Sequence, residues 1–222
     1  ADVNALTESW NGTSWFEVND LNVAVKANVG GGPSTSTLSF GGTAPPSAAT
    51  ADTESWNGSQ WTQTSDMSAA RSNLGGTGTN NTSALAFGGD LFPGTTGFTE
   101  EWNANFGYGV WVTGGDLNTA RDNSGGAGTQ TAALAFGGFS PPYNTAVEIW
   151  NGTNWTEVNN LNVARADIGV SGTTTAAIAF GGSNPPTYPV TALTEDWNGV
   201  SWQETADMNT ARISTGTGAT SV

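Results

Sequence analysis

Large and small side chains alternate in four stretches of the chain. "TLSFGG" at 37–42, "ALAFGG" at 84–89 and 133–138, and "AIAFGG" at 177–182 put Leu, Ile or Phe at every second position, with Ala, Ser or Thr between. A period of two predicts a strand with bulky groups on one face and methyl-sized groups on the other. The glycine pair predicts where each strand stops. A second pattern surrounds Asn-Gly: "TESWNGTSW" at 7–15, "TESWNGSQW" at 53–61, "VEIWNGTNW" at 147–155 and "TEDWNGVSW" at 194–202. Two short strands about Asn-Gly predict a hairpin with a two-residue turn, both turn residues taking positive φ. That turn sets Trp10 opposite Thr13, Ser9 opposite Ser14 and Glu8 opposite Trp15. The two tryptophans are then diagonal neighbours on one face. A stretched copy, "TEEWNANFGYGVW" at 99–111, separates its tryptophans further and adds Phe106 and Tyr108.

The patterns recur together. The first tryptophan of each hairpin stands at 10, 56, 102, 150 and 197, with spacings of 46, 46, 48 and 47. Arg71, Arg121, Arg165 and Arg212 follow Ala in the same phase, and Val25, followed by Lys26, holds that place in the first copy. No stretch has apolar residues at helical spacing. Each unit holds four short strands: a glycine-rich one, the alternating one and the two hairpin strands. A period near 47 with several strands predicts a β-propeller, all-β, with four-stranded blades. Complete blades are expected at about 26–68, 71–117, 121–161 and 165–208. Residues 5–21 supply only the last two strands of a unit, and "RISTGTG" with the opening of a second strand at "ATSV" supplies the first. Five blades are expected, the closing one split between the termini, in a single domain over 1–222. The absent fifth "AFGG" leaves either a thin closing blade or a chain trimmed from a longer array.

Composition narrows the chemistry. The chain has no cysteine and no histidine, which removes disulfides, thiolate chemistry and the commonest general base and metal ligand. No cofactor and no metal are expected. A net charge of −14, from 19 acidic and 5 basic residues, argues against nucleic acid and anionic membrane as partners. No apolar run reaches the length of a spanning helix. The chain opens at Ala1 without a leader pattern and is expected to be processed or cut from something longer. Glu8, Glu54, Glu100, Glu148 and Glu195 each stand two residues before a hairpin tryptophan. Their match with the recurring arginines predicts partly buried structural ion pairs among Glu54, Glu100, Glu148, Glu195, Arg71, Arg121, Arg165 and Arg212. Five identical catalytic acids would be odd.

The order Arg165, Gly181-Gly182, Glu195, Trp197, Trp202 resembles a kelch unit: an Arg-led strand, a Gly pair, a Glu-containing strand with an aromatic, then a tryptophan. The departures are Trp where kelch units usually carry Tyr, and a tighter turn. The wording is also similar to repeat proteins of marine bacteriophages, of the type likened to the central domain of galactose oxidase. The resemblance implies the propeller scaffold and a virion or extracellular setting. It does not bring the copper site, whose histidine and cysteine ligands are missing.

Function is expected at the end carrying the proline loops "TAPPSAATA", "DLFPGTTGF", "FSPPYNT" and "SNPPTYPV". Phe92, Phe98, Phe139, Tyr143 and Tyr188 there, with Phe106 and Tyr108 of the stretched hairpin, are the candidate partner-binding residues. The favoured reading is a non-catalytic binding or structural module that contacts glycans or neighbouring virion or surface proteins, including further copies of itself. The alternatives are a glycoside hydrolase using two carboxylates, or an engineered or excised scaffold with no ligand. An enzyme would need acids that break the repeat, and Asp90, Glu101, Asp122, Asp167 and Asp196 do so.

Overall fold

The computed structural model describes residues 3–104, 109–184 and 189–213. These residues form strands and connecting turns, with no helix among them. Four antiparallel sheets of four strands follow one another along the chain. The first holds β3 (Val29–Gly31), β4 (Thr37–Phe40), β7 (Thr53–Trp56) and β8 (Trp61–Gln63). The second holds β9 (Gly75–Asn80), β10 (Ser83–Phe87), β11 (Thr99–Asn103) and β12 (Val110–Thr113). The third holds β13 (Gly125–Thr129), β14 (Ala132–Phe136), β15 (Val147–Trp150) and β16 (Trp155–Glu157). The fourth holds β17 (Gly169–Gly172), β18 (Ala177–Phe180), β19 (Thr194–Trp197) and β20 (Trp202–Glu204). Two-stranded sheets complete the set: β1 (Glu8–Trp10) with β2 (Trp15–Glu17), and β5 (Thr43–Ala44) with β6 (Ala48–Ala49). The last pair lies in a stretch expected to be loop. Residues 214–222, expected to begin the closing blade, lie outside the described residues.

The alternating strands do what their pattern predicts. Their bulky residues pack on the tryptophans of the next sheet. Phe40 meets Trp111, Phe87 meets Trp155 and Phe136 meets Trp202, each with ring centroids 5.0 Å apart. Ala133 and Ala135 face back toward Leu85 and Phe87, in one buried cluster with Trp150 and Trp155. Each interface is thus large against small, and aromatic rings at this spacing add to the apolar burial. The glycine-rich first strands β3, β9, β13 and β17 stand side by side. A Cβ on Gly31 would lie 2.9 Å from the Gly78 Cα, and one on Gly126 would lie 2.6 Å from the Gly76 carbonyl oxygen. Backbone meets backbone there, which leaves no room for side chains.

The hairpin turns differ from expectation. Trp10 pairs directly with Trp15, Ser9 with Phe16 and Glu8 with Glu17. Asn11 Oδ1 accepts the N–H groups of Thr13 and Ser14, both at 2.9 Å. The asparagine side chain therefore builds a four-residue loop, and only Gly12 takes positive φ, at 94°. The same bonds recur at Asn57, Asn151 and Asn198. The tryptophans become direct cross-strand partners, as Trp102 and Trp111 are despite their longer connection.

One bond in this repeating scheme is missing. The indole N–H of Trp61 donates to Thr7 Oγ1 at 3.2 Å, that of Trp111 to Thr53 Oγ1 at 3.0 Å and that of Trp155 to Thr99 Oγ1 at 2.9 Å. Each acceptor belongs to the preceding sheet. The next acceptor position holds Val147, and the buried Trp202 Nε1 has no partner. Val147→Thr supplies the hydroxyl in the same shape. It is expected to stabilise the fold by about 1 kcal/mol, measured by denaturant unfolding. An unchanged or lower midpoint would refute the assignment.

Candidate functional site

The repeated carboxylates are engaged in structure. Arg71 pairs with Glu100 at 2.7 Å, Arg121 with Glu148 at 3.0 Å and Arg165 with Glu195 at 2.7 Å, all fully buried. Each pair ties the start of a sheet's first strand to its own third strand. Burial lowers the pKa of each guanidinium, and the facing carboxylate works against that shift. Arg165 Nη1 also donates to the carbonyls of Gly181 and Leu193, and Arg71 Nη1 to those of Gly88 and Phe98. The carboxylates accept as well from the segment arriving from the previous sheet. Glu148 takes the N–H and side-chain amide of Asn118, Glu195 those of Asn162, and Glu100 the N–H of Ser68.

Two expected ion-pair members are corrected. Glu54 faces no arginine, because Val25 occupies that position. It accepts instead from the N–H groups of Asn22 and Val23 and the Asn22 amide. Arg212 is exposed and makes no ion pair among the described residues.

The proline-loop end is built differently. Ala27, Asn73, Asn123 and Asp167 occupy one position in successive sheets, all with φ between 50° and 55°. Asn and Asp tolerate this left-handed conformation better than other non-glycine residues. The N–H of Asn73 donates to the Ala27 carbonyl at 3.3 Å, that of Asn123 to Asn73 at 2.8 Å and that of Asp167 to Asn123 at 3.1 Å. This backbone chain runs from sheet to sheet around a cavity of about 550 Å³. Lys26, Asn73, Asn123, Ser124 and Asp167 are polar residues on its wall. The Oγ of Ser124 is buried without a partner.

Beside the cavity, Asp122 is buried and its Oδ1 has no partner. Burial, with the charges of Asp90 and Asp167 added, pushes its pKa up to about 6. Burial also raises that of Asp167. Between about pH 4 and 6 the folded protein therefore binds more protons at Asp122 than the unfolded chain does. Stability from this group is present below the unfolded pKa and is lost as pH rises through about 6. Asp122→Asn is expected to flatten that part of the stability–pH curve. An identical slope in the variant would refute the assignment. Among the described residues no cluster of three or more acidic groups has metal-ligating geometry.

The candidate aromatic residues divide. Phe92 is 87% exposed, sits at φ 38° and donates its N–H to Asp90 Oδ1 at 2.6 Å. Phe98 is exposed too. Phe139 and Tyr143, expected to be exposed, are half-buried and pack edge to face, with centroids 5.3 Å apart. Tyr143 Oη and Ser183 Oγ are hydrogen-bonded at 3.2 Å, and Ser183 Oγ donates to Asp167 Oδ2 at 3.4 Å. Phe106, Tyr108 and Tyr188 lie outside the described residues. The row of left-handed residues and the coupling of Asp90, Asp122 and Asp167 were not anticipated from sequence. Their signal is the Asn or Asp two residues after each buried arginine, in "RSN", "RDN" and "RAD".

No protein-family model matches the chain, and the chain matches no curated protein.

Proposed function

We propose that the chain is a non-catalytic binding module built as a kelch-like β-propeller, with a fifth blade split between the two ends of the chain. The proline-loop end is its ligand face, and its ligands are glycans on a cell or virion surface. The adjacency of the first strands β3, β9, β13 and β17 supports the propeller. So does a match of positions at the two ends: among the described residues Glu8 and Arg212 make no ion pair, and they stand in the hairpin and at the far end where a glutamate and an arginine pair elsewhere.

The observation that carries the binding role is Phe92. A non-glycine residue held at φ 38° with its ring in solvent is costly in backbone strain and contributes nothing to the core. Such strain is characteristic of ligand-contacting segments. The ring shares this end of the molecule with Asp90, Asp122 and a largely apolar cavity that carries a few polar groups, among them Asn73, Asn123 and Asp167, a mixture suited to stacking on a sugar while accepting hydrogen bonds from its hydroxyls. Glycan-array screening is expected to find saturable binding that Phe92→Ser and Phe98→Ser weaken at least tenfold without changing the unfolding midpoint. No binding across neutral and charged glycans would refute the reading.

One observation favours a second reading. A carboxyl with a pKa of about 6 beside a second carboxylate, Asp90, resembles the acid pair of a glycoside hydrolase. Chromogenic glycosides distinguish the two: turnover abolished by Asp122→Asn indicates an enzyme.

A further inference from the structure

Three buried polar groups lie near one another at the proline-loop end without partners: Asp122 Oδ1, Ser124 Oγ and Asn144 Nδ2. Gly138 links their residues. A Cβ on it would lie 2.6 Å from the Asp122 carbonyl oxygen and 3.1 Å from Ser124 Cβ, and its own carbonyl accepts the Asn144 N–H at 3.1 Å. Asp122 is only 8% exposed. Buried polar groups are nearly always paired, so a cluster of unpaired ones marks a place where something outside the chain supplies the bonds.

The surroundings are anionic. Asp90, after β10, and Asp167, just before β17, add their charges to that of Asp122. Ser183 Oγ donates to Asp167 Oδ2 at 3.4 Å and is hydrogen-bonded to Tyr143 Oη at 3.2 Å, next to Asn144 in the chain. No described cation neutralises these aspartates. The buried arginines are committed to Glu100, Glu148 and Glu195, and Lys26 makes no ion pair among the described residues. Ser124 and Asp167 belong to the wall of the cavity of about 550 Å³, with the amides of Asn73 and Asn123 and the apolar Leu74 and Ile168. That volume falls in the range of small-molecule sites, about 300–1,000 Å³. The carboxylates call for a positive charge, and the amides and the serine hydroxyl for a polyhydroxyl partner. A bare metal ion fits poorly, because no cluster of three acidic groups among the described residues has ligating geometry.

We infer that this cavity takes a sugar bearing a free, protonated amine, its ammonium group facing Asp122 and Asp167 and its hydroxyls meeting Ser124, Asn123 and Asn144. This specificity rests on the glycan reading above and narrows it. An ammonium group brings the missing counter-charge. An N-acetyl group in its place leaves the buried Asp122 carboxylate uncompensated, so the site discriminates between the two forms of one sugar.

The probes are the β-1,4-linked trisaccharide of glucosamine and its fully N-acetylated counterpart, titrated into the full chain at pH 7 by calorimetry. Expected is saturable binding of the amine form, at least tenfold tighter than that of the acetylated form. Asp122→Asn is expected to abolish the preference. Asp167→Asn, on the cavity wall, is expected to reduce it and serves where Asp122→Asn lowers the yield of folded protein. Glu17→Gln removes the same charge from an exposed hairpin strand and is expected to leave the preference unchanged. Equal losses in Glu17→Gln and the cavity variants mean general attraction between an anionic protein and a cationic sugar, and overturn the site. Equal affinity for the two trisaccharides, or no binding of the amine form, overturns it too. Glycan-array binding of other sugars would in that case leave the broader glycan reading standing, whereas a silent array removes both. Displacement of the trisaccharide by an equal concentration of putrescine shows a site for amines alone and overturns the sugar.

Discussion

Arg165→Met is expected to destabilise the protein by about 3–5 kcal/mol, because it leaves a buried carboxylate without its counter-charge. The loss extends past Glu195. The carbonyls of Gly181 and Leu193 lose their shared donor, and both lie in strand ends that the guanidinium holds together. Arg121→Met is expected to cost less. Arg121 reaches only Glu148 and, at 3.3 Å, the Ala135 carbonyl, while its Nε and Nη1 already lack partners. Chemical denaturation of the two variants measures the difference. Equal losses would show that the accessory carbonyl bonds contribute nothing. A loss below 1 kcal/mol in both would show that the pairs are dispensable. Replacing Arg165 and Glu195 together by apolar residues is expected to recover part of the stability, since the unpaired charge is the expensive element.

Gly137→Val is the second large effect expected. Gly137 has φ 62°, where a β-branched residue carries strain of about 1–3 kcal/mol. Its new Cβ would lie 2.6 Å from both the Arg165 carbonyl oxygen and Ile168 Cδ1, adding overpacking of about 1–3 kcal/mol. That carbonyl also accepts the Gly138 N–H at 2.8 Å, so the clash pushes on the residue that anchors the third sheet to the fourth. Gly152→Ala is the matched control. Its φ is 90°, but the nearest atom to a new Cβ is the Thr131 carbonyl oxygen at 3.4 Å. Only the conformational cost of about 1–2 kcal/mol remains there. If both substitutions cost the same, packing around the glycine pair is looser than described.

The strand order and the sheet-to-sheet packing were legible because their causes are periodic. Alternation in "ALAF" specifies which residues face the neighbouring tryptophans, and the glycine pair specifies where the strand ends. The hairpin register was not legible. Asn-Gly is compatible with a two-residue turn, and nothing local shows that the asparagine side chain will bond two N–H groups and widen the loop. The Arg–Glu pairs followed from co-recurrence in phase, and the same phase failed at Glu54, where Val25 replaces the cation. The candidate site was the least legible part. Asp90, Asp122 and Asp167 come from three different sheets, and only the packing of those sheets brings their charges within reach of one another. Phe92 and Phe139 look alike in sequence. One is held outward by a bond to Asp90, and the other finds Tyr143.

The double engagement of the repeated glutamates bears on how such a chain can grow. Glu148 and Glu195 each bond an arginine of their own sheet and an asparagine of the segment leaving the sheet before. The self-sufficient cassette is therefore out of phase with the sheet. It begins at the asparagine, as at Asn118 or Asn162, and runs to the residue before the next one. Gene duplication or recombination with breakpoints there would copy a carboxylate together with all its donors. Breakpoints between strands of one sheet would strand a buried charge in every daughter. Chimaeras joined at the two kinds of breakpoint should differ in yield of folded protein accordingly.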